Sequence, residues 1–161
     1  MKFLLAALLL AQISVAAETE PAVQIRQCLD GDAAACNRAG ERHVLGLGLS
    51  KDPAQAFDYL SRACELGFLP GCSNLGLLYL TGVNDAGAKR DPERGARLIA
   101  RSCEGILDVD NCPLAAELYE RGGRGVKVRP DLARRYYALS CARGRVESCL
   151  GIKLFPAKEK P

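Results

Sequence analysis

The chain is 161 residues long, carries a formal net charge of +3 at pH 7, and holds eight cysteines and one histidine. That length is ordinary for one domain. A lone histidine excludes a multi-histidine metal centre, and past the first residues no run is long and apolar enough to cross a membrane.

Met1 and Lys2 open the chain. An apolar run follows from Phe3 to Leu10 and continues weakly through Val15, and Val15-Ala16-Ala17 then leads into Glu18, Glu20 and Pro21. A basic start, an apolar middle and a small-residue exit are the order of a secretory signal, predicted here over residues 1–17 with cleavage near Ala17. The run falls short of the roughly 20 residues that span a bilayer, and no cysteine lies near Ala17 to carry a lipid. The mature chain is expected in the periplasm or outside the cell, with no transmembrane segment. All eight cysteines lie in the exported part, where an oxidising compartment favours disulfides.

The cysteines form four sequence pairs, Cys28 and Cys36, Cys64 and Cys72, Cys103 and Cys112, Cys141 and Cys149, with internal steps of 8, 8, 9 and 8 residues. First members recur after 36, 39 and 38 residues, a period that indicates a helical solenoid. Other residues keep this register. Gly31, Gly67, Gly105 and Gly144 follow the first cysteines by two or three positions, and Gly46, Gly82 and Gly122 follow the second ones by ten. His43, Tyr79 and Tyr119 each lie seven after a second cysteine. Asp52-Pro53 and Asp91-Pro92 start the next segment, with Pro130-Asp131 in reversed order at the same place. Asp caps free helix N–H groups, Pro fits the first turn, and Gly closes a helix in the left-handed conformation.

These signals predict helices near 22–29, 33–45, 53–65, 70–81, 92–103, 112–121, 130–142 and 146–154. Ala56, Leu60 and Ala63 share one helical face, as do Ala96, Ile99 and Cys103. Small residues, Gly40, Gly76 and Ala116, lie four after a cysteine, where helices must approach closely. The predicted organisation is a signal over 1–17, an N-terminal cap over 18–32, repeats over 33–67, 68–105 and 106–144, and a C-terminal cap and tail over 145–161. A generic helical bundle would explain the periodicity but not the shared register of Cys, Gly and Pro.

Leu75-Gly76-Leu77-Leu78-Tyr79 with Gly82, Asp91 and Ala96 resembles the Sel1-like repeat, and so does Gly122-Gly123-Arg124-Gly125-Val126 with Asp131, Ala133 and Tyr136-Tyr137. The likeness covers roughly residues 24–154. It implies an all-α superhelical solenoid of α/α hairpins related to the tetratricopeptide repeat. The cysteine spacing is similar to the disulfide-bearing Helicobacter cysteine-rich branch, where a bridge ties the second helix of one repeat to the first helix of the next. The pairing this implies is Cys28–Cys36, Cys64–Cys72, Cys103–Cys112 and Cys141–Cys149, neighbours in sequence meeting at each helix corner. The Val83–Arg90 loop is longer than its counterpart Leu47–Lys51, the third pair has an extra residue, and Pro113 follows its second cysteine.

No cofactor and no metal are expected, because the close cysteine pairs of zinc, redox and haem motifs are missing. The Helicobacter branch carries a β-lactamase label, so a β-lactam-binding or hydrolysing protein is the alternative function. No serine has a lysine three residues later, as the serine enzymes of that class require. His43 fills a slot held elsewhere by tyrosine, Ser73, Ser102, Ser140 and Ser148 look like helix-surface or cap residues, and Asp108 and Asp110 fall in a turn. No catalytic residue is assigned.

Stacked hairpins present one wall built from the first helix of each unit. The candidate binding residues there are Arg42, His43, Asn74, Leu78, Tyr79, Glu117 and Tyr119, and a peptide or protein is the expected partner, bound by an adaptor or by an immunity protein that neutralises a toxin. Charge offers a second surface. Residues 18–120 carry 10 basic and 16 acidic groups, whereas residues 121–145 carry eight basic groups, Arg121, Arg124, Lys127, Arg129, Arg134, Arg135, Arg143 and Arg145, against Asp131 alone. Outside the cytoplasm this favours an acidic protein or an anionic envelope component over nucleic acid, with Arg124 and Arg129 as its contacts. The sequence leaves the oligomeric state open.

Overall fold

The structure is a computed structural model that describes residues 19–82, 90–105 and 110–154. The predicted signal, most of the Val83–Arg90 loop, Asp108 and the tail beyond Leu154 lie outside the described residues. Among the described residues every regular element is helical: α1 (Glu20–Leu29), α2 (Ala33–Leu45), α3 (Pro53–Glu65), α4 (Leu69–Thr81), α5 (Pro92–Glu104), α6 (Asn111–Arg121), a 3-10 turn at Gly123–Gly125, α7 (Pro130–Ala142) and α8 (Val146–Lys153). Each helix packs chiefly on the one before and the one after it, giving the α/α solenoid.

Local chemistry accounts for the helix starts. The Asp52 carboxylate accepts from the backbone N–H of Ala54 and Gln55 at 3.0 Å each, and Asp91 accepts from that of Arg94 at 3.0 Å. Asp32 caps α2 in the same way, through Ala35 at 2.9 Å. At α7 the reversed order has a consequence: Arg129 takes the capping position without a side-chain bond, and Asp131 falls inside the first turn. There its charge can only complement the helix dipole. One backbone bond then closes every hairpin. The N–H of Asp52, Asp91 and Arg129 donates to the carbonyl of His43, Tyr79 and Tyr119 at 3.1, 3.1 and 2.7 Å.

Glycine serves two purposes at the register positions. Gly31, Gly67 and Gly144 take φ of 100°, 86° and 94°, which side chains rarely adopt. Gly105 departs from the expected left-handed closure, with φ of −67°. A Cβ there would meet Leu69 Cδ1 at 1.9 Å, so this glycine answers to space rather than to conformation. It lies two residues after its cysteine instead of three, in the pair that carries the extra residue.

Four disulfides, Cys28–Cys36, Cys64–Cys72, Cys103–Cys112 and Cys141–Cys149, join α1 to α2, α3 to α4, α5 to α6 and α7 to α8. Each therefore links successive units rather than the two helices of one hairpin. The core runs as three clusters along the solenoid. Cys28, Ala35, Cys36 and Ala63 form the first, and Leu60, Cys64, Cys72, Leu75 and Tyr79 the second. The third, with Leu80, Ile99, Cys103, Cys112 and Tyr136, fills the second and third hairpins. Cystine sulfur is thus part of the packed interior. Buried polar pins add to it, and they correct the expectation for the cysteine-flanking serines. Ser73, Ser102, Ser140 and Ser148 are all buried rather than at the surface. Ser73 bonds Asn111 at 2.7 Å, Ser102 bonds the Leu69 carbonyl at 3.0 Å, and Ser148 bonds Ser140 at 2.8 Å.

Candidate functional site

The first helices α2 and α4 lie side by side and leave a slot of about 260 Å³ between them. Its lining is Glu41, Val44 and Leu45 from α2, Asn74, Leu77 and Leu78 from α4, and Leu60 of α3 as the floor. The slot is apolar and its walls reach solvent, with Val44, Leu45 and Leu77 exposed by 39%, 57% and 38%. Exposed aliphatics gathered round a depression mark an interaction surface more than scattered ones do. One end is polar and fixed. Asn74 Nδ2 donates to Asn37 Oδ1 at 2.9 Å and to Glu41 Oε1 at 2.8 Å, and Asn37 Nδ2 donates to the same Glu41 oxygen at 3.0 Å. Two amides from adjacent units thereby hold one carboxylate at the rim.

The structure divides the residues predicted for the wall. Asn74 and Leu78 line the slot, and Glu117 is exposed on α6. Arg42 points elsewhere: it pairs with Glu20 at 2.9 Å, bonds Gln24 at 2.7 Å and reaches the Leu47 carbonyl at 3.0 Å, tying α2 to α1. His43, Tyr79 and Tyr119 turn inward and are only 8%, 7% and 3% exposed. The His43 ring stacks on Tyr59 with centroids 5.6 Å apart, and its Nδ1 lies 3.2 Å from the Ser50 carbonyl. Tyr79 packs edge-on against Phe57, and Tyr119 stacks on Tyr136. His43 and Tyr119 pack against their own hairpin's second helix, whereas Tyr79 sits between Phe57 of α3 and Arg94 of α5. Sequence reasoning missed Glu41, Val44, Leu45 and Leu77, although Glu41, Leu77 and Glu117 share one register position, five after the second cysteine.

Arg124 and Arg129 are exposed on the connection between α6 and α7, away from the slot. Arg124 is the described non-glycine residue with positive φ, at 59°, and its carbonyl accepts from Arg90. Part of the basic segment is spent internally. Arg135 pairs with Glu104 at 2.8 Å, Arg143 bonds the Cys103 carbonyl, and Arg145 pairs with Asp110.

The buried tyrosines are poor acids. Burial, with the Glu104 carboxylate beside it, pushes Tyr136 up to about 12. Burial and the hydrogen bond to Glu120 raise Tyr137, and burial with Glu93 raises Tyr119. All three remain neutral hydrogen-bonding groups at physiological pH. A second, more open trough of about 670 Å³ follows α3, with Phe57, Tyr59, Arg62, Tyr79 and Arg94 in its lining and the Arg94 guanidinium 4.7 Å above the Tyr79 ring. Among the described residues no three His, Cys, Asp or Glu side chains gather as metal ligands, and no helix is long and apolar enough to cross a membrane.

The model of the Sel1 repeat matches residues 33–68, 69–105 and 114–144. The chain belongs to the Sel1 repeat family. Solved structures place this Sel1 repeat protein beside Helicobacter pylori cysteine rich protein B, at 25% identity and a TM-score of 0.55, over 81% of this chain and 96% of that one. A Sel1 repeat protein of Oxalobacter formigenes gives a TM-score of 0.63 at 22% identity, over 78% of this chain and 49% of that one. A protective antigen of uropathogenic Escherichia coli displaying a Sel1-like repeat fold gives 0.67 at 20% identity, over 81% of this chain and 27% of that one. The chain thus spans about a quarter and a half of the two larger proteins, and the likeness to them is one of fold. No curated protein matches the chain in sequence. The slot lies where it does because α2 and α4, the first helices of successive Sel1 hairpins, meet side by side, and what faces outward between them lines it.

Proposed function

We propose that this Sel1 repeat protein is an exported interaction module that holds a protein or peptide segment on the wall of its first helices. The observation that carries this is the apolar slot between α2 and α4, with Glu41 fixed at its rim. At about 260 Å³ it is smaller than the roughly 300–1,000 Å³ that encloses a whole small ligand, and it suits one or two aliphatic side chains of a larger partner. Four disulfides fit an oxidising compartment, and they supply rigidity that a thin stack of hairpins otherwise lacks. A rigid wall loses little conformational entropy on binding, which favours recognition.

The test is site-specific photo-crosslinking in envelope extract, with the photoreactive residue placed at Leu77 in the slot or at Leu66 on the turn after α3. Discrete adducts at Leu77 and none at Leu66 are expected. The same adducts from both positions, or none from Leu77, would sink the proposal.

A further inference from the structure

Glu41, Leu77, Glu117 and Leu154 each lie five residues after the second cysteine of their pair, so they hold the same register place on α2, α4, α6 and at the residue that caps α8. All four are exposed. The wall therefore presents acid, aliphatic, acid, aliphatic, one per unit. Each aliphatic station is wider than a single side chain. Leu77 has Val44 and Leu45 across the slot, and Leu154 continues a stripe with Leu150 and Val146, at four-residue steps, that are 63% and 70% exposed. The acidic station at Glu41 is already oriented by Asn37 and Asn74. Bonds link neighbouring units along the wall: Asn74 on α4 to Asn37 on α2, Ser73 on α4 to Asn111 on α6, and Arg145 just before α8 to Asp110 just before α6.

Packed helices have axes roughly 8–10 Å apart, and a chain extended in the polyproline II conformation advances about 3.1 Å per residue and returns a side chain to the same face every three residues. One station therefore corresponds to about three residues of an extended ligand. We infer that the wall selects an extended segment in which basic and aliphatic residues alternate about three positions apart. The basic residues pair with Glu41 and Glu117, and the aliphatic ones fill the slot at Leu77 and cover the α8 stripe. This rests on the preceding reading of the wall as the binding face and names the chemistry of its occupant. Charge complementarity decides the sign. Glu41 is the one acidic or basic side chain among the described residues that line the slot, and Arg38, three residues before it on α2, lies 3.9 Å from Asp32.

The test is selection from a random peptide display library on the oxidised full chain. Hydrogen exchange then maps the selected peptides, and calorimetry measures their affinity. Selected peptides should protect α2, α4, α6 and α8 and carry Lys or Arg about three positions from Leu, Ile, Val or Met. The double variant E41K/E117K should weaken them by about tenfold and select Asp or Glu in place of the base. Glu117→Lys alone, at an exposed position, keeps the comparison valid if Glu41→Lys disturbs the Asn37–Asn74 pairing. Peptides that protect the wall but lack the alternation, or whose ranking ignores the charge swap, overturn the inference and leave the wall as the binding face. Peptides that protect only the trough along α3 or the α6–α7 connection overturn both, as does a library that yields no binder.

Discussion

Gly76 on α4 and Gly95 on α5 face each other at closer range than a methyl group permits. A Cβ on Gly76 would lie 2.8 Å from the Gly95 carbonyl oxygen, and one on Gly95 would lie 2.6 Å from that of Gly76. Backbone cannot swing aside as a side-chain tip can, so Gly76→Ala must push the two helices apart. Overpacking of this kind costs about 1–3 kcal/mol. Gly67 is different, since nothing lies within 4 Å of its Cβ position but its φ is 86°. Gly67→Ala should cost about 1–2 kcal/mol through backbone strain alone, and Gly67→Asn less, because Asn tolerates the left-handed region. Urea titration separates the two mechanisms. Crowding predicts no relief when Gly76 becomes Asn, and a neutral Gly76→Ala would show that the α4–α5 contact has room to yield.

Among the disulfides, burial ranks the order of opening. Cys28, Cys36, Cys64, Cys72, Cys103 and Cys112 are buried, while Cys141 and Cys149 are half-exposed. Graded reduction with a phosphine, trapped by alkylation and read by mass spectrometry, should open Cys141–Cys149 first. If an inner bridge opens earlier, access is governed by local unfolding of the hairpins rather than by the static surface. Removing an inner bridge, such as Cys64→Ala with Cys72→Ala, should cost about 2–4 kcal/mol. The helices were legible because their signals are local: Asp-Pro at a start and glycine at an end act within one turn, and the expected bounds agree with the observed ones to within two residues. The cysteine register was equally legible as a period. The wall was harder to read for a geometric reason. Positions five and seven after a cysteine are about 200° apart round a helix of 3.6 residues per turn, so they face nearly opposite ways. The aromatic His43, Tyr79 and Tyr119 repeat as cleanly as Glu41, Leu77 and Glu117 do, and periodicity alone does not say which set faces out. That is fixed by tertiary contacts, such as Asn74 with Asn37 between units and Tyr119 with Tyr136 within one, which sequence spacing does not encode.

At the scale of the molecule, the charge asymmetry and the wall act on different steps of binding. Arg121, Arg124, Lys127, Arg129 and Arg134 are exposed on the α6–α7 end, whereas Arg135, Arg143 and Arg145 are taken up by internal partners. The exposed cations make a one-sided field, and such a field changes encounter rates more than it changes residence times. Its sign opposes a ligand that brings basic residues to Glu41 and Glu117. Reversing Arg124 and Arg129 to Glu should therefore speed association of a basic-aliphatic peptide by several-fold at low salt and leave dissociation almost unchanged. For a partner that offers acidic groups to this edge, the same reversal should slow association instead. Both effects should fade as salt shortens the screening length from roughly 10 Å at 0.1 M to about 3 Å at 1 M. Stopped-flow kinetics at two salt concentrations read the sign directly. A change confined to dissociation would mean that Arg124 and Arg129 touch the bound ligand, and the binding face would then extend from the first-helix wall onto the α6–α7 connection.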